Sequence, residues 1–211
     1  SFERDFIPKL IKKNLIKGHY EESFFVDIGT KKNLRFTKKK FKHLAKKKCV
    51  FFDRDNTLIL DKGYTYKPSQ LIWNKGAKKA INYLNKLNYL VIVVTNQSGV
   101  ARGYYSEKDV VKFHDFMNLE LYKNKSCIND FFYCPYHADG KIKKYKKKSL
   151  DRKPNNGMIL KAIKKWNINT KRSFFIGDSL SDKLAAKKSK IKFIKYEEKF
   201  DLYNLVKTNI K

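Results

Sequence analysis

Two stretches of the chain are almost continuously apolar, Cys49–Asp53 (CVFFD) and Leu90–Thr95 (LVIVVT). Short runs of this kind, rich in β-branched and aromatic residues, read as strands buried on both faces. Between and after them the apolar period lengthens. Gly76–Asn88 places Ala77, Ala80, Ile81, Leu84 and Leu87 on one side of a helix. Ser106 with Asp109 three residues later forms a capping-box pattern, and Val110, Phe113, Met117 and Leu121 follow as an inner stripe. Phe131–Cys134 is a further short strand, and a lysine-rich loop runs on to about Lys153. The pattern closes with a helix carrying Ile159, Ala162, Ile163 and Trp166, a strand at Ser173–Ile176, a helix at Leu180–Lys188 and a strand at Ile191–Ile194. Strands alternating with amphipathic helices predict an α/β domain over residues 49–211, with a three-layer, Rossmann-like parallel sheet.

Residues 1–48 read differently. They offer a helical stretch at Phe6–Lys17, a strand-like piece at Ser23–Ile28 and a basic helix ending near Lys48. That is too little to bury a core alone. With a serine in first position, the segment is expected to be the end of something larger.

Composition narrows the setting. No apolar run approaches the roughly 20 residues of a membrane span, and the N-terminus has no signal-peptide pattern, so a cytoplasmic protein without a membrane partner is expected. Cys49, Cys127 and Cys134 are odd in number and widely spaced, which suits a reducing compartment. The formal net charge of +29 comes almost wholly from lysine; arginine stands only at positions 4, 35, 54, 102, 152 and 172. Arginine is the better bidentate reader of phosphate and guanine, and the lysines are spread along the whole chain beside abundant asparagine. The charge therefore reads as a solvated surface reflecting compositional bias, and a nucleic-acid partner is not expected. The positive field would still attract a phosphorylated substrate.

Ligands of a parallel sheet sit beyond the C-terminal ends of its strands. Three predicted strands end in polar groups: Asp53-Arg54-Asp55-Asn56-Thr57, Thr95-Asn96-Gln97-Ser98-Gly99 and Gly177-Asp178-Ser179. Arg152-Lys153-Pro154 precedes a helix. Each piece alone is ordinary, since a strand-end aspartate is often a helix cap. Together, carboxylates from separate strand ends can share a hard cation such as Mg²⁺, while a hydroxyl, an amide and a lysine hold a phosphate.

These residues resemble the four signature motifs of the haloacid dehalogenase superfamily: DxDxT at Asp53–Thr57, Thr95, Lys153, and GDxxxD reaching Asp178 and Asp182. The resemblance implies that Asp53 is the nucleophile and Asp55 the general acid and base. It further implies that Thr95 and Lys153 grip the phosphoryl group, and that Asp53, the Asp55 backbone carbonyl and Asp178 bind Mg²⁺ with Asp182 in support. The stretches FFDRDNTL, DKGY, VVTNQSGVARGYYSE, FFYCPYH, RKPNNGM and FIGDSLSD are similar to the heptose 1,7-bisphosphate phosphatase subfamily, with histidinol-phosphate phosphatases as close kin. That likeness implies no separate cap domain and a small phosphorylated sugar as substrate. Asn96 and Gln97 are expected beside it, with Arg102 and Arg152 on its second phosphate or sugar. Histidinol-phosphate hydrolysis and nucleic-acid 3′-phosphatase activity are the alternatives.

Many members of the subfamily bind a structural zinc through Cys-x-His and Cys-x-Cys. Here those places read Cys134-Pro135-Tyr136, with His137 one residue late, and Ser149-Leu150-Asp151. One ligand of four remains, so zinc is expected to be absent. The opening Ser1–Asp5, Pro8–Leu10 and Phe25–Thr30 resemble the end of a sugar-1-phosphate nucleotidyltransferase, in which Asp27 would assist a metal. The resemblance implies a bifunctional enzyme of nucleotide-activated heptose synthesis, feeding surface glycans, from which the nucleotide-binding part is missing.

Overall fold

A computed structural model describes residues 2–16, 29–44 and 46–210. The chain divides into two compact units, Ser1–Leu44 and Ala45–Lys211.

The first unit holds a π-helical turn at Phe2–Phe6, helix α1 (Ile7–Lys12) and helix α2 (Lys31–Leu44). Helix α1 is shorter than the Phe6–Lys17 pattern predicts. Its end falls where Asn14 takes a left-handed φ of 53°, which asparagine tolerates and a continuing helix does not. No residue of this unit whose burial is described is buried. The expected strand at Ser23–Ile28, with Asp27, lies outside the described residues.

The second unit is a five-stranded sheet with every pairing parallel: β1 (Cys49–Phe52), β2 (Leu90–Asn96), β3 (Asp130–Cys134), β4 (Phe174–Gly177) and β5 (Lys192–Lys195), in the order β3-β2-β1-β4-β5. Alternation within the apolar runs sorts the core into two layers. Val50, Phe52, Val91 and Val93 face α3 (Ala77–Lys86), α5 (Glu107–Tyr122) and α8 (Leu202–Asn209). Cys49, Phe51, Ile92 and Val94 face α6 (Gly157–Trp166) and α7 (Leu180–Lys188). The capping box of Ser106 and Asp109 is present, and the stripe Val110, Phe113, Met117 and Leu121 is buried.

Two elements go beyond the sequence reading. Helix α4 (Ser98–Arg102) is a five-residue turn of helix, too short to show a period, and ends at Gly103 with φ 78°. Helix α8 follows the strand at which the sequence pattern ends. Asp201 caps it through a bond from the Asn204 N–H, and Leu202 and Val206 complete the core. The β1–α3 and β3–α6 connections each carry one three-residue 3₁₀ turn and no inserted domain, as the resemblance implies.

The strand order places a topological switch beside β1: the chain winds from β1 through β2 to β3, then returns to add β4 and β5 on the other flank. In such sheets the ligand crevice forms there.

Candidate active site

Asp53 directly follows β1, and its N–H donates to the Ile176 carbonyl of β4 at 3.0 Å, so the β1–β4 ladder fixes its backbone. Its carboxylate accepts from the Arg54 N–H at 2.7 Å and meets Lys153 Nζ at 2.6 Å. The same ammonium stands 2.6 Å from Asp182 Oδ1. Lys153 thus bridges two carboxylates, and it is itself 3 % exposed. Burial works against its charge, but Asp53 and Asp182 outweigh that, and its pKa is raised. Burial pushes Asp53 up to about 7, with Lys153 opposing and Asp182 and Asp55 adding to the rise.

Asp182 owes its position to the start of α7. Ser179 caps that helix, and its hydroxyl and N–H both donate to Asp182 Oδ2, at 2.6 and 3.1 Å. Gly177 makes this possible, because a Cβ there would lie 2.6 Å from Asp182 Oδ2. Asp178, at the end of β4, accepts from Thr57 Oγ1 at 3.4 Å. Burial raises its pKa, and the charge of Asp182 adds to that.

One oxygen from each of Asp53, Asp178 and Asp182 lies within 4.8 Å of the others. An all-oxygen set with more negative charge than Lys153 balances fits Mg²⁺ by donor chemistry and spacing.

Asp55 lines the same cavity but turns its carboxylate toward a second set of donors. Gln97 Nε2 donates to it at 2.8 Å and Thr95 Oγ1 at 3.4 Å. Arg54 Nε donates at 2.8 Å. Gln97 is held from behind by Tyr105, whose hydroxyl donates to Oε1 at 2.7 Å. That ring lies directly over Gly99, where a Cβ would come within 2.2 Å of it.

The cavity is about 300 Å³ and is lined by Asp53, Asp55, Tyr64, Thr95, Arg152 and Lys153 among others. Not every expected substrate residue faces it. Gln97 is 1 % exposed and is not among the residues lining the cavity; its amide is engaged by Asp55, Thr95 and Tyr105. Asn96 lines the cavity, yet both ends of its amide are engaged by the backbone of Lys153. Arg152 is a lining residue, whereas Arg102 is not.

Sequence reasoning passed over Arg54, which is 1 % exposed and touches Asp55, and its neighbour His114. The signal available was the arginine inside DRDNT, one of six in a lysine-dominated chain. Burial, with Arg54 adding to it, holds His114 well below the ordinary histidine value, so the imidazole is neutral.

A buried aspartate at the end of the central strand, paired with a buried lysine and two further carboxylates, is suited to nucleophilic attack on a phosphoryl group. Proteins similar to this chain are described as phosphatases. The family model described as "Polynucleotide kinase 3 phosphatase" matches residues 48–207. The D-glycero-beta-D-manno-heptose-1,7-bisphosphate 7-phosphatase of Pasteurella multocida is 41 % identical over 69 % of this chain and 79 % of its own length. The D-glycero-alpha-D-manno-heptose-1,7-bisphosphate 7-phosphatase of Campylobacter jejuni is 40 % identical over 65 % of this chain and 74 % of its own. Among solved structures, a Mesorhizobium loti protein described as HAD-like aligns with a TM-score of 0.69 at 26 % identity, covering 79 % of this chain and 88 % of that one. A D,D-heptose 1,7-bisphosphate phosphatase from B. bronchiseptica, solved with magnesium and phosphate, shares the fold at TM-score 0.62 and 23 % identity, over 76 % and 97 %. The chain belongs to the heptose-1,7-bisphosphate 7-phosphatase family of haloacid dehalogenase-type phosphatases.

Proposed function

We propose that this chain hydrolyses the 7-phosphate of D-glycero-D-manno-heptose 1,7-bisphosphate through an aspartyl-phosphate on Asp53. The observation that carries the chemistry is the Asp53–Lys153–Asp182 cluster at the switch point of the sheet. The relatives' shared substrate supports the sugar assignment.

In the first step an Asp53 oxygen forms a bond to phosphorus as the ester P–O bond breaks, and Asp55 gives its proton to the departing alkoxide. In the second, Asp55 takes a proton from water, the water oxygen bonds to phosphorus, and the Asp53–phosphorus bond breaks to release inorganic phosphate. Lys153 offsets the charge gathering on the phosphoryl oxygens beside Asp53. Thr95, on the cavity wall, is assigned to the same phosphoryl group. Asp53, Asp178 and the Asp55 backbone carbonyl would hold Mg²⁺, with Asp182 beside them; the bound ion supplies further neutralisation of phosphoryl charge.

The loop after β3 is proposed to work without zinc. In its place Glu107 of α5 accepts hydrogen bonds from the hydroxyls of Tyr145 in the loop (2.6 Å) and Tyr133 of β3 (3.0 Å), tying loop and strand to the helix. The N–H groups of Lys141 and Ile142 both donate to the Ala101 carbonyl. Residues 1–48 are proposed to be the end of a sugar nucleotidyltransferase, which would take up the heptose 1-phosphate product and make the parent protein bifunctional and cytoplasmic.

Phosphate release with Mg²⁺ from both anomers of the bisphosphate, from histidinol phosphate and from a 3′-phosphorylated oligonucleotide tests the assignment. The bisphosphate should give the highest kcat/KM, and Asp53→Asn should abolish turnover. Preference for the oligonucleotide, the chemistry in the family model's description, would overturn the sugar assignment.

A further inference from the structure

Arg54 is among the largest fully buried side chains of the protein and lies beside the cavity rather than in bulk core. Taking a guanidinium out of water is unfavourable unless its donors are matched, so the identity of its partners is informative. Nε donates to Asp55 Oδ1 at 2.8 Å, and Nη2 approaches the same carboxylate at 2.8 and 3.2 Å. Nη2 also donates to the Thr65 carbonyl at 2.8 Å. Nη1 stands 3.4 Å from His114 Nε2. A guanidinium can only donate, so Nε2 is the acceptor and the imidazole proton sits on Nδ1. The guanidinium carbon lies 5.0 Å from the centre of the Phe113 ring. His114 is fixed in turn by stacking on Phe131 of β3, at 4.3 Å and 11° between planes.

A chain of contacts therefore runs from β3 through α5 to the carboxylate assigned as proton donor. With Gln97 and Thr95 on the far oxygen, Asp55 is gripped from two sides. We propose that Arg54 and His114 are positioning residues that hold Asp55 in line for proton transfer, Arg54 directly and His114 by fixing Arg54. This rests on the reading of Asp55 as general acid and base. The bland alternative is that Arg54 merely fills space.

Proton donation matters only for a poor leaving group, which separates the two views. Glycerol 2-phosphate needs a proton on its departing alkoxide; p-nitrophenyl phosphate does not. Both are small, so neither depends on the sugar assignment. Arg54→Lys keeps the charge but loses the two-pronged grip. It should lower kcat on glycerol 2-phosphate by about 100-fold, the scale of a displaced general acid, with KM little changed. On p-nitrophenyl phosphate the first turnover should stay fast and then stall, a burst of nitrophenol with phosphoenzyme accumulating, because water activation by Asp55 is also impaired. His114→Phe keeps the ring stack without the acceptor and should move in the same direction by about tenfold. His114→Gln, which returns an acceptor near the Nε2 position, should recover most of that loss.

Equal losses of the first step on both esters, or no difference between His114→Phe and His114→Gln, would overturn the proposal; the histidine pair decides alone if Arg54→Lys fails to fold. Asp55→Asn is the control. If it still turns over glycerol 2-phosphate, the proposed mechanism fails, and not merely this inference.

Discussion

Asn96 and Lys153 hold each other by two reciprocal hydrogen bonds. Asn96 Nδ2 donates to the Lys153 carbonyl at 3.1 Å, and the Lys153 N–H donates to Asn96 Oδ1 at 3.0 Å. The end of β2 thereby fixes the backbone that carries the Lys153 ammonium into the cavity lining, 57 residues further along the chain. Asn96→Asp would turn the donor end into a second acceptor facing a carbonyl, whereas Asn96→Ala removes both bonds. Asn96→Ala should cost about 1–3 kcal/mol in stability and lower kcat more than it raises KM. Thermal unfolding and steady-state kinetics on the same preparation check both parts.

Asp53 carries the clearest pH consequence. Its pKa in the folded protein, pushed up to about 7 mainly by burial, lies above that of a free carboxylate. The folded state therefore holds this proton more tightly than the unfolded one, and the group's contribution to stability falls as pH rises from about 4 to about 7. The same proton competes with a cation for the carboxylate. Mg²⁺ affinity measured by titration calorimetry should weaken by up to about tenfold per unit below pH 7 and level off above it. A flat affinity between pH 6 and 8 would contradict this.

Arg152, which lines the cavity, and Arg102 place two positive charges in the field felt by His137. After burial, the charges of Arg152 and Arg102 are what hold His137 below the ordinary histidine value. The buried Nε of Arg102 has no hydrogen-bond partner among the described residues. An anion there would relieve both conditions, and the second phosphate of a bisphosphate is such an anion. Arg152→Ala should raise KM for the bisphosphate by about 10–100-fold while leaving p-nitrophenyl phosphate nearly unaffected. Comparable loss on both compounds would place Arg152 in loop support instead.

Leu202 tests the helix that the sequence pattern omits. It is fully buried in the layer shared by α3, α5 and α8. Leu202→Ala should destabilise the protein by about 2–5 kcal/mol in urea unfolding, with no change in KM.

The strands, the five longer helices of the sheet domain bar the last, and most of the site were legible because each rests on a local rule. CVFFD and LVIVVT are buried on both faces and so carry no polar interruption. The motif residues stand at strand ends, where parallel-sheet geometry brings them together. What was missed is non-local. Helix α8 covers α3, whose approach depends on Gly76, where a Cβ would come within 2.3 Å of Asp201. Gln97 reads as a polar residue in a turn, and only packing under Tyr105 buries it. Arg54 and His114 lie 60 residues apart, and neither carries a local sign of the other.

The N–H of Asp53 continues the hydrogen-bonded ladder between the central strand β1 and its neighbour β4. The proposed nucleophile is thus anchored in the part of the domain that opens last, even though Lys153 beside it comes from a loop. Heating should therefore extinguish activity and melt the sheet at one temperature. The Asp53 amide should also rank among the slowest to exchange with deuterium, so the lifetime of the enzyme is the lifetime of its fold.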